Sequence, residues 1–211
     1  MNLEGLPYVI DRMQPKDVYT VSSIEHRVFT LPWSTAAFRH EVSQNSLSVY
    51  LVLRYLLWMQ PAKVGRWSGV QRLVGGGQED PSLLGYGGFW MMGNEAHICT
   101  LALRPEWRGR GLGELLLATL IEQAHDRNLR TVSLEVRVTN SVAQNLYLKY
   151  GFRTLGRKKG YYTDNREDAY DMVIDNVLSP EYEARFQELG QRLYQRLLAE
   201  PQPPPVSPVI P

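Results

Sequence analysis

The most informative part of this chain is the run Leu101-Ala102-Leu103-Arg104-Pro105-Glu106-Trp107-Arg108-Gly109-Arg110-Gly111-Leu112-Gly113. An apolar strand ends here, a turn follows, and a long helix begins inside the glycine-rich part. The glycines remove side chains where a ligand or the backbone must come close. The first N–H groups of a helix have no partner inside it and lie at the positive end of its dipole. The run therefore predicts an anion site suited to a diphosphate, with Arg108 and Arg110 adding positive charge.

Three interpretations of this turn compete on the residues alone. A dinucleotide-binding fold needs G-x-G-x-x-G on its first strand, whereas this turn has G-x-G-x-G in the middle of the chain. Glu135 lies about 20 residues further on, as a ribose-binding acid does, but inside a predicted strand. A nucleoside-triphosphate loop needs Gly-Lys-Ser/Thr, which is missing here. The third interpretation is a structural glycine turn with incidental arginines.

The apolar spacing around the turn predicts one α/β (α+β) domain over residues 1–178. Strands are predicted at 48–57, 84–92, 96–103, 131–138, 152–161 and 169–174. Helices are predicted at 15–29, 112–128, 141–150 and, capped by Ser34, through 38–42. We expect a mixed, mostly antiparallel sheet with helices on both faces. We also predict an irregular insertion at about 60–83, an amphipathic helix at 179–200 and a proline-rich, disordered tail at 201–211.

Composition excludes several classes of protein. The 211 residues are 44% hydrophobic and 21% charged, which suffices for a core without disulfides or metals. The 23 Lys and Arg against 22 Asp and Glu leave a net charge of +1, so no direct nucleic-acid partner is expected. Cys99 is the single cysteine; it fits a reducing compartment and an inert, buried thiol. The four histidines lack ligand spacing, so no metal site is expected.

We expect a cytoplasmic protein without a membrane partner. The N-terminus lacks the basic flank and apolar core of a signal peptide. The most apolar stretch, residues 49–59, contains Arg54 and is too short to cross a bilayer. A monomer or weak dimer is expected.

Several motifs, in chain order, resemble those of the GCN5-related N-acetyltransferases (GNAT), and of their RimI-type protein N-terminal acetyltransferases in particular. The resemblance covers about residues 8–175. Its motifs are L-P-W-S at 31–34, R-x-x-G-x-G at 108–113, L-E-V-R-x-x-N at 134–140, L-Y-x-x-Y-G-F at 146–152, and Y-Y at 161–162 followed by R-E-D-A-x-x-M at 166–172.

The resemblance implies that acetyl-CoA binds in a V-shaped opening between two splayed strands. Leu101, Ala102 and Leu103 then hold the pantetheine arm, residues 108–113 hold the diphosphate, and Asn140 contacts the coenzyme near its thiol. The implied reaction is direct acetyl transfer to a protein N-terminal amine, with the N-terminal alanine of a small-subunit ribosomal protein as the acceptor. Acetylation of a small-molecule amine or a lysine, and a non-catalytic acetyl-CoA-binding module, are the alternatives.

Two residues are candidates for proton transfer. Glu135 occupies the polar side of an otherwise apolar strand, where a partly dry cleft is expected to raise its pKa toward neutrality. Tyr147 follows Asn140 by two helical turns and has a phenol able to protonate a thiolate. The resemblance implies that Glu135 is the base and Tyr147 the proton donor. The alternatives are a surface glutamate, paired with Arg137 or free in solvent, and a core tyrosine.

Trp33, Tyr161 and Tyr162 are predicted to shape the groove for the substrate peptide. Aromatic side chains with polar tips suit a narrow slot that admits a chain end. The alternative is ordinary packing.

Overall fold

The computed structural model of the protein describes residues 3–58 and 78–199. The predicted tail at 201–211 and most of the predicted insertion at 60–83 lie outside these residues. In chain order the elements are β1 (Tyr8–Arg12), α1 (Val18–Val28), α2 (Thr35–Ser43), β2 (Ser48–Tyr55), β3 (Leu83–Met92), β4 (Glu95–Leu103), α3 (Leu112–His125), β5 (Thr131–Arg137), α4 (Ser141–Lys149), β6 (Arg153–Tyr162), β7 (Glu167–Ile174) and α5 (Pro180–Ala199). Short 3-10 turns precede α1 and α3 and follow β2.

The strands form a seven-stranded sheet in the order β1-β2-β3-β4-β5-β7-β6. Within the described ranges β4 and β5 run parallel, and every other neighbouring pair is antiparallel. The predicted mixed, mostly antiparallel sheet is therefore confirmed. The sequence analysis missed β1, a short edge strand that pairs with β2 over its whole length.

Helices cover both faces of the sheet, as predicted. Side chains of a strand point alternately to opposite faces, and in β2 Leu51 and Leu53 join the core beneath α3 and α5. Tyr50 and Val52, which alternate with them, join a second core together with α1 and α2. Both faces of β2 are buried for this reason.

Local sequence decides where the shorter helices begin. The Ser34 hydroxyl accepts the Ala37 N–H at 3.1 Å at the start of α2. The Asn140 side chain accepts the Ala143 N–H at 3.2 Å at the start of α4. Both predicted caps are confirmed, and each satisfies one backbone donor that a helix start leaves unpaired.

The centre of the sheet opens between β4 and β5. Their pairing covers residues 95–98 and 131–134 only, although β4 continues to Leu103 and β5 to Arg137. A register shift in the β3–β4 pairing leaves Cys99 as an extra residue, opposite neither Gly88 nor Phe89. Such a bulge bends and twists a strand. The bulge lies directly after the last residue of β4 that pairs with β5, so it marks the point where the two strands part.

Helix α5 packs along α3 through Leu189, Leu193 and Leu197, all of which are buried. This apolar stripe matches the spacing that predicted the helix. In the described part of the chain, no helix combines the length and apolarity required to span a bilayer.

Candidate active site

The turn between β4 and α3 rests on a buried tryptophan. Trp107 is 5% exposed, and its ring centroid lies 5.5 Å from that of Tyr55 and 5.4 Å from that of Trp58. The Arg110 guanidinium lies 5.0 Å from the centroid of the same ring. This packing holds the base of the turn that carries residues 108–113.

The turn presents backbone donors rather than side chains at the start of α3. Gly109 and Gly111 have φ of +76° and +75°, a region that residues with a Cβ enter only with strain. The Arg108 N–H donates to the Pro105 carbonyl and the Leu115 N–H to the Gly111 carbonyl. Within residues 3–58 and 78–199, the N-cap residue Gly111 gives the helix no side-chain cap. The first backbone N–H groups of α3 are therefore available to an anion in front of the helix.

A single buried carboxylate, that of Glu114, lies behind this turn. Glu114 accepts hydrogen bonds from Lys149 Nζ at 2.5 Å, Arg196 Nη2 at 2.6 Å and Tyr150 Oη at 3.0 Å. Burial acts to raise the pKa of Glu114, but these bonds outweigh it and lower the pKa. The carboxylate is therefore charged and compensated at the positive end of α3.

Arg196 also lies against the glycine turn at the start of α3. A Cβ on Gly111 would lie 2.9 Å from Arg196 Nη2 and 3.3 Å from Leu197 Cδ2. Sequence reasoning missed both Glu114 and Arg196, because the contact joins α3 to a helix 82 positions further along the chain.

Leu101, Ala102 and Leu103 lie on the part of β4 that has separated from β5. Their backbones pair with β3 on one side, opposite Gly87, Tyr86 and Gly85. The other edge of β4 faces the opening, so its N–H and C=O groups point toward the space between the splayed strands.

Glu135 lies at the inner end of this opening, directly after the last residue of β5 that pairs with β4. Its side chain is 9% exposed and forms ion pairs with Lys158 Nζ at 2.5 Å and His97 Nε2 at 3.1 Å. Burial acts to raise the pKa of Glu135, but the hydrogen bonds and charges of His97 and Lys158 outweigh it and hold the pKa at about 2.

Two sequence-based expectations about Glu135 are therefore wrong. Its pKa is not raised toward neutrality, because two cations contact the carboxylate in the partly dry cleft. Arg137 is not its ion-pair partner either; that guanidinium pairs with Asp164 at 2.7 Å and Glu167 at 2.9 Å. Glu135 and Arg137 are on the same side of β5, but they pair with different residues of the β6–β7 hairpin. Glu135 pairs with Lys158 of this hairpin, whereas Arg137 pairs with its acidic residues.

His97 is a site residue that the sequence analysis did not single out. Its Nε2 faces Glu135, and its Nδ1 lies 2.8 Å from Ser133 Oγ, which in turn donates to Glu95. The hydrogen bond that His97 donates to Glu135 raises the pKa of His97 against the opposing effect of burial. A single histidine has no sequence spacing that would mark it as a site residue. His97 comes close to Glu135 because it lies opposite Ser133 in the β4–β5 pairing.

An aromatic row extends from His97 to the α1–α2 loop. The Trp90 ring stacks on His97 with centroids 6.3 Å apart, and Trp33 stacks on Trp90 at 5.7 Å. The backbone N–H of Trp33 donates to Glu25 Oε1 at 3.1 Å. Trp33 thus borders the same face of the sheet as Glu135, as the predicted groove requires.

Tyr161 and Tyr162 border the opposite side of Glu135. Their ring centroids are 5.2 Å apart, and the Arg137 guanidinium lies 3.9 Å from the Tyr162 centroid. Burial, followed by the charge of Glu135, raises the pKa of Tyr161. Thr30 of the α1–α2 loop donates to Asp164 of the β6–β7 turn, so the two walls of the groove are linked.

Tyr147 projects from α4, and its ring packs on Phe152 with centroids 5.5 Å apart. Burial raises the pKa of Tyr147 to about 12, with a further contribution from Tyr162. Burial raises the pKa of Tyr162 to about 12. The charge of Arg137 acts to lower this pKa, and the charges of Tyr161 and Glu135 act to raise it. The charge of Tyr162 thus affects the pKa of Tyr147, and that of Glu135 affects the pKa of Tyr162.

The thiol of Cys99 is held by hydrogen bonds within the sheet. The Cys99 thiol hydrogen-bonds with Tyr50 Oη at 3.2 Å and the Gly88 carbonyl at 3.3 Å. Burial raises the pKa of Cys99 to about 12, so the thiol stays protonated. No group of three or more His, Cys, Asp or Glu residues suited to a metal ion occurs within 3–58 and 78–199.

Comparisons with known proteins agree with this geometry. Residues 26–152 match the acetyltransferase (GNAT) family. A Bacillus subtilis protein with a provisional name as a ribosomal protein bS18-alanine N-acetyltransferase is 36% identical over 165 residues, which are 78% of this chain and 93% of that protein. The Mycobacterium tuberculosis N-alpha-acetyltransferase RimI is 34% identical over 182 residues, or 83% of this chain and 98% of that one.

A solved structure agrees as well. The crystal structure of the ribosomal-protein-S18-alanine N-acetyltransferase from Escherichia coli superposes with a TM-score of 0.64 at 25% identity, covering 82% of this chain and 97% of that one.

Proposed function

The chain belongs to the acetyltransferase (GNAT) family, and we propose that it transfers the acetyl group of acetyl-CoA to the N-terminal α-amine of a protein. One observation carries the proposal: the β4–β5 pairing ends beside Glu135, and the unpaired part of β4 continues to the glycine turn at the start of α3. From this arrangement we infer a diphosphate site, a channel for an extended arm and an acceptor groove along one path.

The proposed acceptor is the N-terminal alanine of a ribosomal protein of the bS18 type. Support comes from relatives that cover most of this chain and are named for that reaction. A ribosomal acceptor implies that the enzyme works in the cytoplasm. We also propose a monomer or weak dimer without direct nucleic-acid or membrane contact.

Backbone groups are proposed to bind most of the coenzyme. The amides of Gly109, Arg110, Gly111, Leu112 and Gly113 bind the diphosphate, with Arg108 adding positive charge. The free edge of β4 at Leu101, Ala102 and Leu103 pairs with the pantetheine arm, which carries amide groups of its own. Asn140 uses its carbonyl oxygen to cap α4, so its NH₂ group is the donor proposed to contact the coenzyme near the thiol.

The proposed reaction needs an uncharged amine and a protonated leaving group. Glu135 contacts the ammonium form, which has a pKa of about 7.7–8.0 for an α-amine, and helps remove one proton. The amine nitrogen then attacks the acetyl carbonyl; the C–N bond forms and the C–S bond breaks. Tyr147 donates its proton to the departing thiolate and regains one from the acetylated nitrogen. The products are an amide, free CoA and one proton.

Trp33, Tyr161 and Tyr162 are proposed to form the walls that admit the end of a peptide chain. The link between Thr30 and Asp164 closes the groove on its outer side. A closed groove admits a narrow, flexible chain end more readily than a lysine on a folded surface.

The test is mass spectrometry of peptides that differ in their first residue after incubation with acetyl-CoA. We expect one added acetyl group on the α-amine of a peptide beginning with alanine. The matched control is the same peptide with a formylated N-terminus and an internal lysine, which is expected to stay unmodified. Acetylation of the lysine or of free small amines, with none at any N-terminus, would contradict the proposal.

A further inference from the structure

The Glu135 carboxylate, at the inner end of the opening, is one end of a hydrogen-bonded chain. Glu135 Oε2 lies 3.1 Å from His97 Nε2, and His97 Nδ1 lies 2.8 Å from Ser133 Oγ. Ser133 donates its single hydroxyl proton to Glu95. Ser133 therefore accepts from His97 Nδ1–H, and the contact with Glu135 is a hydrogen bond only when Nε2 is also protonated. The arrangement favours the imidazolium form of His97, between the carboxylates of Glu135 and Glu95.

The imidazole ring is held firmly in this orientation. His97 and Ser133 are partners in the β4–β5 pairing, which fixes the distance between their side chains. Trp90 stacks on the ring at an interplanar angle of 22°, and its indole N–H donates to Glu41 Oε2 at 2.9 Å. The His97 side chain is 16% exposed.

Glu135 alone is poorly matched to the proposed reaction. Its pKa of about 2 lies far below that of an α-amine, about 7.7–8.0. A base works best when its pKa lies near the operating pH. An imidazole, whose ordinary pKa is about 6.5, is much closer.

The charges around His97 move its pKa further in the required direction. The hydrogen bond with Glu135 raises the pKa, burial opposes this, and the charges of Glu135 and Glu95 raise it again. Lys158, from β6, lowers it but is itself paired with Glu135 and Asp171. The uncharged Trp90 ring covers the remaining face.

On the basis of the proposed function, we propose that His97 and Glu135 act as one proton-accepting pair, in which Glu135 contacts the amine and His97, acting through it, holds the released proton. His97 is in this sense a positioning residue, since it does not touch the substrate.

The protons balance over one turnover. The ammonium group loses its first proton through Glu135 to neutral His97, which becomes imidazolium. The Nδ1–H stays bonded to Ser133 throughout, and after the products leave, the imidazolium returns the proton from Nε2 through Glu135 to solvent. The second amine proton replaces the one that Tyr147 gave to the thiolate. The proton acceptor is therefore needed only when the amine arrives as ammonium, and His97 must then be neutral.

The pH dependence of kcat/KM tests this requirement. His97→Gln is expected to lower kcat/KM for an alanine-terminated peptide about 10²-fold at pH 7, with the KM for acetyl-CoA unchanged. The loss is expected to shrink above pH 8, because an α-amine with a pKa of about 7.7–8.0 is then already unprotonated. The matched control is His125→Gln on α3, where the histidine pairs with Glu183 away from the site; we expect the wild-type kcat/KM at each pH.

A second measurement does not depend on the variant's activity. The pKa of His97, followed by NMR in the wild-type protein without substrates, is expected to fall in Glu135→Gln. An unchanged pKa, or a loss in His97→Gln that is the same at pH 7 and pH 9, would overturn this inference alone. A wild-type enzyme that acetylates no peptide would overturn the proposed function, and this inference with it.

Discussion

Arg196 Nη2 lies 2.6 Å from Glu114 Oε2, and this ion pair joins the last turn of α5 to the first turn of α3. Helix α5 lies beyond residues 26–152, the part that matches the family. A helix outside the matched region thus supports the turn proposed to bind the diphosphate.

Arg196→Met is expected to destabilise the fold and weaken coenzyme binding. The change leaves the buried Glu114 carboxylate without one of its two cations, at a cost of about 1–3 kcal/mol in the free energy of unfolding. We expect a higher KM for acetyl-CoA and an unchanged kcat. Denaturant unfolding and steady-state kinetics measure the two effects. The control is Arg192→Met, which breaks only an exposed pair with Glu188 and is expected to cost less than about 1 kcal/mol.

Gly111→Ala is expected to be more harmful than Gly109→Ala. Both residues have positive φ, so each substitution costs about 1–2 kcal/mol in backbone strain. At Gly111 the new methyl group would also lie 2.9 Å from Arg196 Nη2, whereas at Gly109 nothing lies within 4 Å. Thermal unfolding of both variants gives the comparison. Equal losses of stability would show that the α5 contact does not constrain the turn.

Glu135→Gln is expected to lower kcat by about 10²–10⁴-fold, because the amide cannot accept the amine's proton. The KM for acetyl-CoA is expected to stay close to that of wild type, since Glu135 is not among the residues proposed to bind the coenzyme. Steady-state kinetics with each substrate varied in turn separate the two constants. Wild-type activity in this variant would refute the assigned base.

Tyr147→Phe is expected to lower kcat by about 10²-fold while preserving the packing on Phe152. The pKa of Tyr147, about 12, keeps the phenol protonated throughout the range in which the enzyme works. The loss is therefore expected to be the same from pH 6 to pH 9 in kcat measurements. A loss that grows with pH would indicate that another group is the proton donor.

Glu25→Gln is expected to change how stability depends on pH. Burial raises the pKa of Glu25 to about 7 from an ordinary value of 4.5, although the Trp33 N–H and His26 oppose this. The folded protein therefore holds more protons than the unfolded chain between these values. Stability falls as pH rises from about 4.5 to 7, by about 3 kcal/mol at this residue. In Glu25→Gln this fall is expected to disappear from denaturant unfolding curves. The same pH dependence in both proteins would contradict the assignment.

The chain's local patterns were enough to predict most of the fold. The alternation of Val132, Leu134 and Val136 predicted β5, and the caps at Ser34 and Asn140 predicted the starts of two helices. These features depend on neighbours a few residues away, because strand and helix periods are local properties. The glycine turn at 109–113 predicted the anion site for the same reason.

Long-range contacts were not predictable in this way. Nothing close in sequence to Glu135 indicates that His97 and Lys158, from strands on either side, meet its carboxylate. A pKa depends on charges that are close in space, so the expected rise became a fall once β4, β5 and β6 came together. Arg196 likewise reaches Gly111 only because α5 packs along α3. The sequence by itself determined most of the helices and strands and the position of the glycine turn that we propose binds the diphosphate. Tertiary structure alone decided the charge state of Glu135 and the support of that turn, since both depend on groups brought together by packing.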